Sequence, residues 1–184
     1  MAELIKPTTL VHASYLAAVE EYRAEGGYPD FDDLDIGTVD AFTRYVDQLR
    51  RDPVRRAGLP RLPDMTLLWW VAGSEYLGRI SVWHKLSGNL MESGHIGYDV
   101  RPTARRRGHA TPMLAAALPV AHRLGINPAL LSTSTSNPAS RRVIEANGGR
   151  LVDQRGDRLF FEVPTEPVGT RSVTGPVGGP PNGQ

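Results

Sequence analysis

Apolar residues recur at helical spacing in four stretches of this chain and gather in short β-rich runs between them. Residues 8–25 carry Leu10, Val11, Tyr15, Leu16, Val19 and Tyr22 on one stripe, closed by Gly26-Gly27. A second helix over about 38–51 places Val39, Phe42, Tyr45, Val46 and Leu49 together. A third follows Gly108 and buries Ala110, Met113, Leu114, Ala117, Leu118 and Ala121. Pro119 lies inside it, where a missing N–H predicts a kink. The fourth runs from Pro138 to Ala146 and stops at Asn147-Gly148-Gly149. Strands are predicted over 2–6, 66–72, 75–84, 95–100, 129–135, 150–154 and 158–163, with hairpins at Gly73-Ser74 and Gly156-Asp157. A polar turn at Ser87-Gly88-Asn89 precedes the strand that ends at Val100, and Pro53, Pro60 and Pro63 interrupt the chain after the second helix.

The order is therefore β-α-α-β-β-β-α-β-α-β-β: an α/β (α+β) domain of about seven strands in a mixed sheet with four helices, over residues 1–164. The remaining segment, 165–184, holds five glycines and four prolines. It cannot bury enough apolar surface to offset its ordering entropy, so disorder is expected there.

Composition narrows the chemistry. The chain has 184 residues, a net charge of +1 and no cysteine. Disulfides, thiolate nucleophiles and cysteine metal sites are excluded together. No apolar run approaches a membrane span, and no secretory signal is read, so the cytoplasm is the expected compartment and a membrane partner is not expected. The histidines show no metal spacing, and no metal site is expected.

Charge is local rather than global. Arg101, Arg105, Arg106 and Arg107 cluster between the strand ending at Val100 and the helix after Gly108. The first N–H groups of a helix lack intrahelical partners, and its dipole adds partial positive charge there. A basic turn, a glycine and a helix start together suit a phosphate. Neither G-x-x-x-x-G-K-[ST] nor G-x-G-x-x-G occurs, so Walker and Rossmann sites are unsupported.

The spacing Arg105-x-x-Gly108-x-Ala110 resembles the acyl-CoA pyrophosphate loop of the GNAT N-acetyltransferase superfamily. The element order is also that of the GNAT fold. His95-Ile-Gly-Tyr-Asp-Val-Arg-Pro and Asn137-Pro-Ala-Ser-Arg-Arg-Val-Ile-Glu are similar to phrases in a bacterial branch of predicted acetyltransferases. The resemblance implies acetyl-CoA as co-substrate, held by Val100, Arg101, Arg105, Arg106, Arg107, Gly108, His109, Ala110, Asn137 and Ser140. It implies an oxyanion-stabilising N–H near Val100 and a pantetheine slot where the 95–100 strand splays from 129–135. The acceptor is then a small-molecule or peptide amine, and dimerisation, common in the family, is left open.

The pattern is incomplete at one place. Many GNAT enzymes carry a tyrosine acid where this chain has Ile144; Ser140, water or no acid at all are the alternatives. A free alkylammonium is not a nucleophile, so a base is needed, and Glu92 and His95 are the candidates. Asn137 and Ser140 also read as ordinary helix-start residues. Eight acids between residues 20 and 40 (Glu20, Glu21, Glu25, Asp30, Asp32, Asp33, Asp35, Asp40) against Arg23 read either as a solvated run or as an acidic rim that steers a cationic amine. Trp69 and Trp70 fall on opposite faces of their strand, so one is placed to meet the acceptor. Two rival functions remain: an acyl-CoA binder without turnover, consistent with Ile144, and a nucleic-acid module built on the arginines. The second is disfavoured by the neutral charge balance and the lack of interleaved aromatics, so no nucleic-acid partner is expected.

Overall fold

A computed structural model describes residues 1–26, 28, 31, 34–51, 64–88 and 90–166. Pro53, Pro60 and Pro63, Asn89, the acids Asp30, Asp32 and Asp33, and the segment 167–184 expected to be disordered lie outside the described residues.

Among the described residues seven strands form: β1 (Glu3–Ile5), β2 (Met65–Ala72), β3 (Glu75–Trp83), β4 (Ile96–Val100), β5 (Ala129–Ser134), β6 (Arg150–Arg155) and β7 (Arg158–Val163). The helices are α1 (His12–Glu25), α2 (Val39–Arg51), a single turn α3 (Leu90–Ser93), α4 (Ala110–Arg123) and α5 (Pro138–Ala146). The α3 turn was not foreseen; four residues are too few to show a helical period. α4 continues through Pro119 as one helix. The strands divide into two antiparallel sheets, β1-β2-β3-β4 and β5-β7-β6.

Alternation along β2 explains the layering. Trp69 and Val71 point to one face, where α1 and α2 bring Tyr15, Val19, Tyr22, Phe42 and Val46. Leu68 and Trp70 point to the other, where α4 supplies Met113, Leu114 and Ala117, and α5 supplies Ile144. Each sheet face thus buries one helix pair, the arrangement that lets a sheet with two apolar faces leave water. Tyr15 stacks on Trp69 with ring centroids 4.6 Å apart, so Trp69 belongs to the packed aromatic core. The folded part extends past Pro164: Thr165 is buried, its hydroxyl donating to the Ile126 carbonyl at 2.7 Å and its N–H to Asn127 Oδ1 at 3.1 Å.

Candidate functional site

The two sheets touch at one point and then part. Gly94 bridges Leu131, and the His95 N–H donates to the Leu130 carbonyl at 2.6 Å. Gly94 has φ +82°, and a Cβ there would sit 2.5 Å from the Leu130 carbonyl oxygen. Only glycine allows so close an approach in that conformation. Beyond this contact, β4 and β5 diverge around a cleft of about 280 Å³.

Hydrogen-bond alternation decides what faces that cleft. The Arg101 N–H donates to Leu77 and the Trp83 N–H to His95, so the odd-numbered residues of β4 pair with β3. In an antiparallel ladder the residues between them direct their N–H and C=O groups the opposite way. The main-chain groups of Tyr98 and the N–H of Val100 therefore point toward β5. The same rule applied from Thr135 N–H to Asp157 carbonyl turns the amides of Ser132 and Ser134 toward β4. The wedge is two facing half-ladders, a place where an extended ligand with amides can complete the hydrogen bonds.

Across the cleft floor, the Tyr98 and Ser140 hydroxyls lie 2.9 Å apart. Burial pushes the Tyr98 phenol up, partly countered by Ser140, so it stays protonated at neutral pH. Asn137 caps α5 by accepting from the Ser140 N–H at 3.0 Å, which fixes where Ser140 sits. Asn137, Ser140 and Ile144 all line the cleft, and so does Tyr98, which the sequence reading passed over. Alternation was the available signal: with Ile96 and Val100, Tyr98 shares the strand face turned to α4 and α5.

The arginines of the basic loop divide by their partners. Arg101 lies against Glu21 (Nη2–Oε1 2.7 Å), and Arg105 is held by both Glu25 oxygens at 2.6 and 2.8 Å while its Nε donates to the Val100 carbonyl at 2.9 Å. These two guanidiniums, expected to contact the cofactor, are spent on anchoring the loop to α1 and β4. Glu21 and Glu25 are correspondingly not a free acidic rim. Arg106 and Arg107 are exposed and make no ion pair among the described residues. Arg106 (φ +62°) and Gly108 (φ +81°) curl the main chain before His109 enters the right-handed region. Such alternation of φ is the backbone pattern of anion-binding nests. α4 has no side-chain cap, and Pro112 in its first turn carries no N–H to orphan. His109 is pinned by the Trp70 indole, which donates to Nδ1 at 3.4 Å.

Glu21 carries a testable consequence. Burial opposes its charge, but hydrogen bonds from Arg101 and Thr103 outweigh that and hold its carboxyl below the usual range. The native state thus binds this proton less readily than the unfolded chain, so the contribution is full above about pH 4.3 and is lost as pH falls further. Glu21→Gln is expected to lose about 1–2 kcal/mol at pH 7 and to flatten the stability slope between about pH 5 and 3. Urea unfolding across that range checks it; an unchanged slope refutes the pairing.

The two proposed bases take other places. Glu92 is on α3, not the strand, with its side chain exposed and its carbonyl accepting from Ser132 Oγ at 2.7 Å. His95 Nδ1 accepts from the Leu130 N–H at 3.0 Å, and burial pushes its imidazole down. Its basic nitrogen is occupied in closing the sheet junction. Neither lines the cleft, whereas Ser93 between them does. On the opposite face of β4, Asp99 accepts from Tyr22 at 2.5 Å and from Arg79 Nε at 2.7 Å. Burial and the Asp99 carboxylate push the Tyr22 phenol well up; Arg79, despite burial, is held charged by Asp99.

Known proteins share this fold. Residues 28–150 match the family model of the acetyltransferase (GNAT) domain, more than half of the chain. Among solved structures, the Campylobacter jejuni N-acetyltransferase PseH in complex with acetyl coenzyme A is similar at 14% identity and TM-score 0.54, covering 90% of this chain and 100% of that one. RimL, a ribosomal L7/L12 alpha-N-protein acetyltransferase in complex with coenzyme A, aligns at 14% identity and TM-score 0.58, covering 89% and 93%. The putative acetyltransferase YncA from Salmonella typhimurium, with acetyl-CoA, aligns at 11% identity and TM-score 0.57, covering 94% and 98%. At these identities the likeness shows the fold. No curated protein sequence matches the chain.

Proposed function

The chain belongs to the GNAT acetyltransferase family, and from that premise we propose that it is an acyl-CoA-dependent N-acyltransferase. It moves acetyl from acetyl-CoA to a primary amine of a small molecule or peptide by direct attack in a ternary complex. The observation that carries this is the wedge between β4 and β5. Its facing main-chain groups suit the amides of a pantetheine arm, and the chain leaving β4 passes through a short turn and the basic loop to an uncapped helix start that suits the diphosphate. The solved relatives named with acetyl-CoA or coenzyme A support the same ligand class.

The residues then take distinct parts. The nest from Arg106 to Ala110 holds phosphate oxygens through N–H groups, with Arg106 and Arg107 supplying unpaired charge. Arg101 and Arg105 hold the loop in register. The Val100 N–H donates to the thioester carbonyl oxygen, a contact that strengthens as that oxygen gains charge and is typically worth about 3 kcal/mol in the barrier. The amine nitrogen bonds to the carbonyl carbon, the carbon–sulfur bond breaks with its electron pair on sulfur, and the nitrogen sheds a proton to water. His95 closes the wedge at its narrow end. A binder without turnover uses the same cleft, and the buried Ile144 at the usual acid position is the observation in its favour.

Acetyl-CoA at about 100 times its dissociation constant is expected to stabilise the protein by about 2.7 kcal/mol, or roughly 5–10 °C in melting temperature. An unmoved melting curve overturns the assignment. A shift without thiol release across a panel of primary amines selects the binder.

A further inference from the structure

Ile144 itself offers no proton donor, yet two hydroxyls meet in the cleft, Tyr98 from β4 and Ser140 from α5. We propose that Tyr98 of β4, acting with Ser140, is the hydrogen-bond donor that receives the departing thiolate. The inference rests on the acyl-CoA reading above.

Three observations carry it. The two oxygens are 2.9 Å apart, and Ser140 is held in place by the Asn137 cap, so the pair is preorganised. Both residues and Ile144 line the same cleft. In addition, the main-chain N–H groups of Tyr98 and Val100 are turned away from β3, toward β5, so the strand proposed to polarise the thioester carbonyl also carries the phenol. Their mutual bond takes one of the two hydroxyl protons; when Ser140 is its donor, the Tyr98 proton has only the Ser140 carbonyl at 3.4 Å as a partner, a long bond that a thiolate outcompetes.

Acidity decides the manner of action. A thiol has a pKa near 8.5, and an ordinary phenol is near 10. Burial pushes the Tyr98 phenol further up. A thiolate therefore does not strip the phenolic proton; it accepts a charge-assisted hydrogen bond and leaves as the anion. The carbon–sulfur electron pair ends on sulfur, Tyr98 keeps its proton, and released coenzyme A takes a proton from water.

The bound thiol reports this without any acceptor amine. Coenzyme A is titrated in complex with the protein while thiolate absorbance in the ultraviolet is followed, and its affinity at pH 7 is measured by calorimetry. In the native protein the bound thiol pKa is expected about one unit below that of free coenzyme A, a tenfold gain in thiolate. Tyr98→Phe and Ser140→Ala are each expected to return it toward the free value, with affinity at pH 7 changed less than about threefold because the neutral thiol predominates there. An unshifted thiol in the native complex, or a shift that survives Tyr98→Phe, overturns the role of Tyr98. Failure of coenzyme A to bind the native protein overturns the acyl-CoA reading itself.

Discussion

Gly108→Val is expected to weaken coenzyme A binding at least about a hundredfold, roughly 2.7 kcal/mol, while the protein keeps its fold. Gly108 has φ +81°, a conformation in which a β-branched side chain is strained by about 1–3 kcal/mol. Nothing lies within 4 Å of the position its Cβ would take, and the residue is exposed. The loop is therefore free to relieve the strain by changing course, with no core to hold it. Relief re-aims the N–H groups of Gly108, His109 and Ala110, which is why the loss falls on the anion site and not on the melting temperature. Calorimetric titration with coenzyme A beside a melting curve separates the two effects. Native affinity in this variant refutes the loop assignment, since the phosphates would then not depend on this backbone.

The opposite behaviour is expected at Gly94. Gly94→Ala puts a methyl group 2.5 Å from the Leu130 carbonyl oxygen and 3.0 Å from Leu131 Cα, both main-chain atoms that cannot swing aside. Its φ of +82° adds strain. Overpacking costs about 1–3 kcal/mol and a left-handed alanine about 1–2 more, so a loss of about 2–5 kcal/mol follows. At roughly 2–4 °C per kcal/mol, the melting temperature falls by about 10 °C. The junction also orients His95 and sets where the sheets part, so ligand-induced stabilisation should shrink with it. A variant that melts within 2 °C of the native protein, by an order-of-magnitude margin, shows that the bridge contributes little.

These two glycines mark how far reading the chain goes. Gly108 announced itself through local order: strand, basic turn, glycine, amphipathic helix, all within about sixteen residues. Gly94 carried no local signal, because its constraint comes from Leu130, far along the chain. The arginines divide the same way. Four cations before a helix read as four phosphate ligands, but Glu21 and Glu25 on α1 had already claimed Arg101 and Arg105. Tyr98 was passed over because a single tyrosine in a strand carries no motif; Ser140 gives it meaning only once α5 lies across β4.

By itself, then, the sequence determined the element order, the helix faces, the hairpins and the basic turn and glycine before α4, since each depends on residues within a turn or two of one another. Tertiary structure alone decided which guanidiniums stay free, that His95 closes a sheet junction, and which hydroxyls share the cleft. Those outcomes depend on pairs of residues tens of positions apart, and a hydrogen bond of 2.7 or 2.9 Å between them is a property of the packed chain.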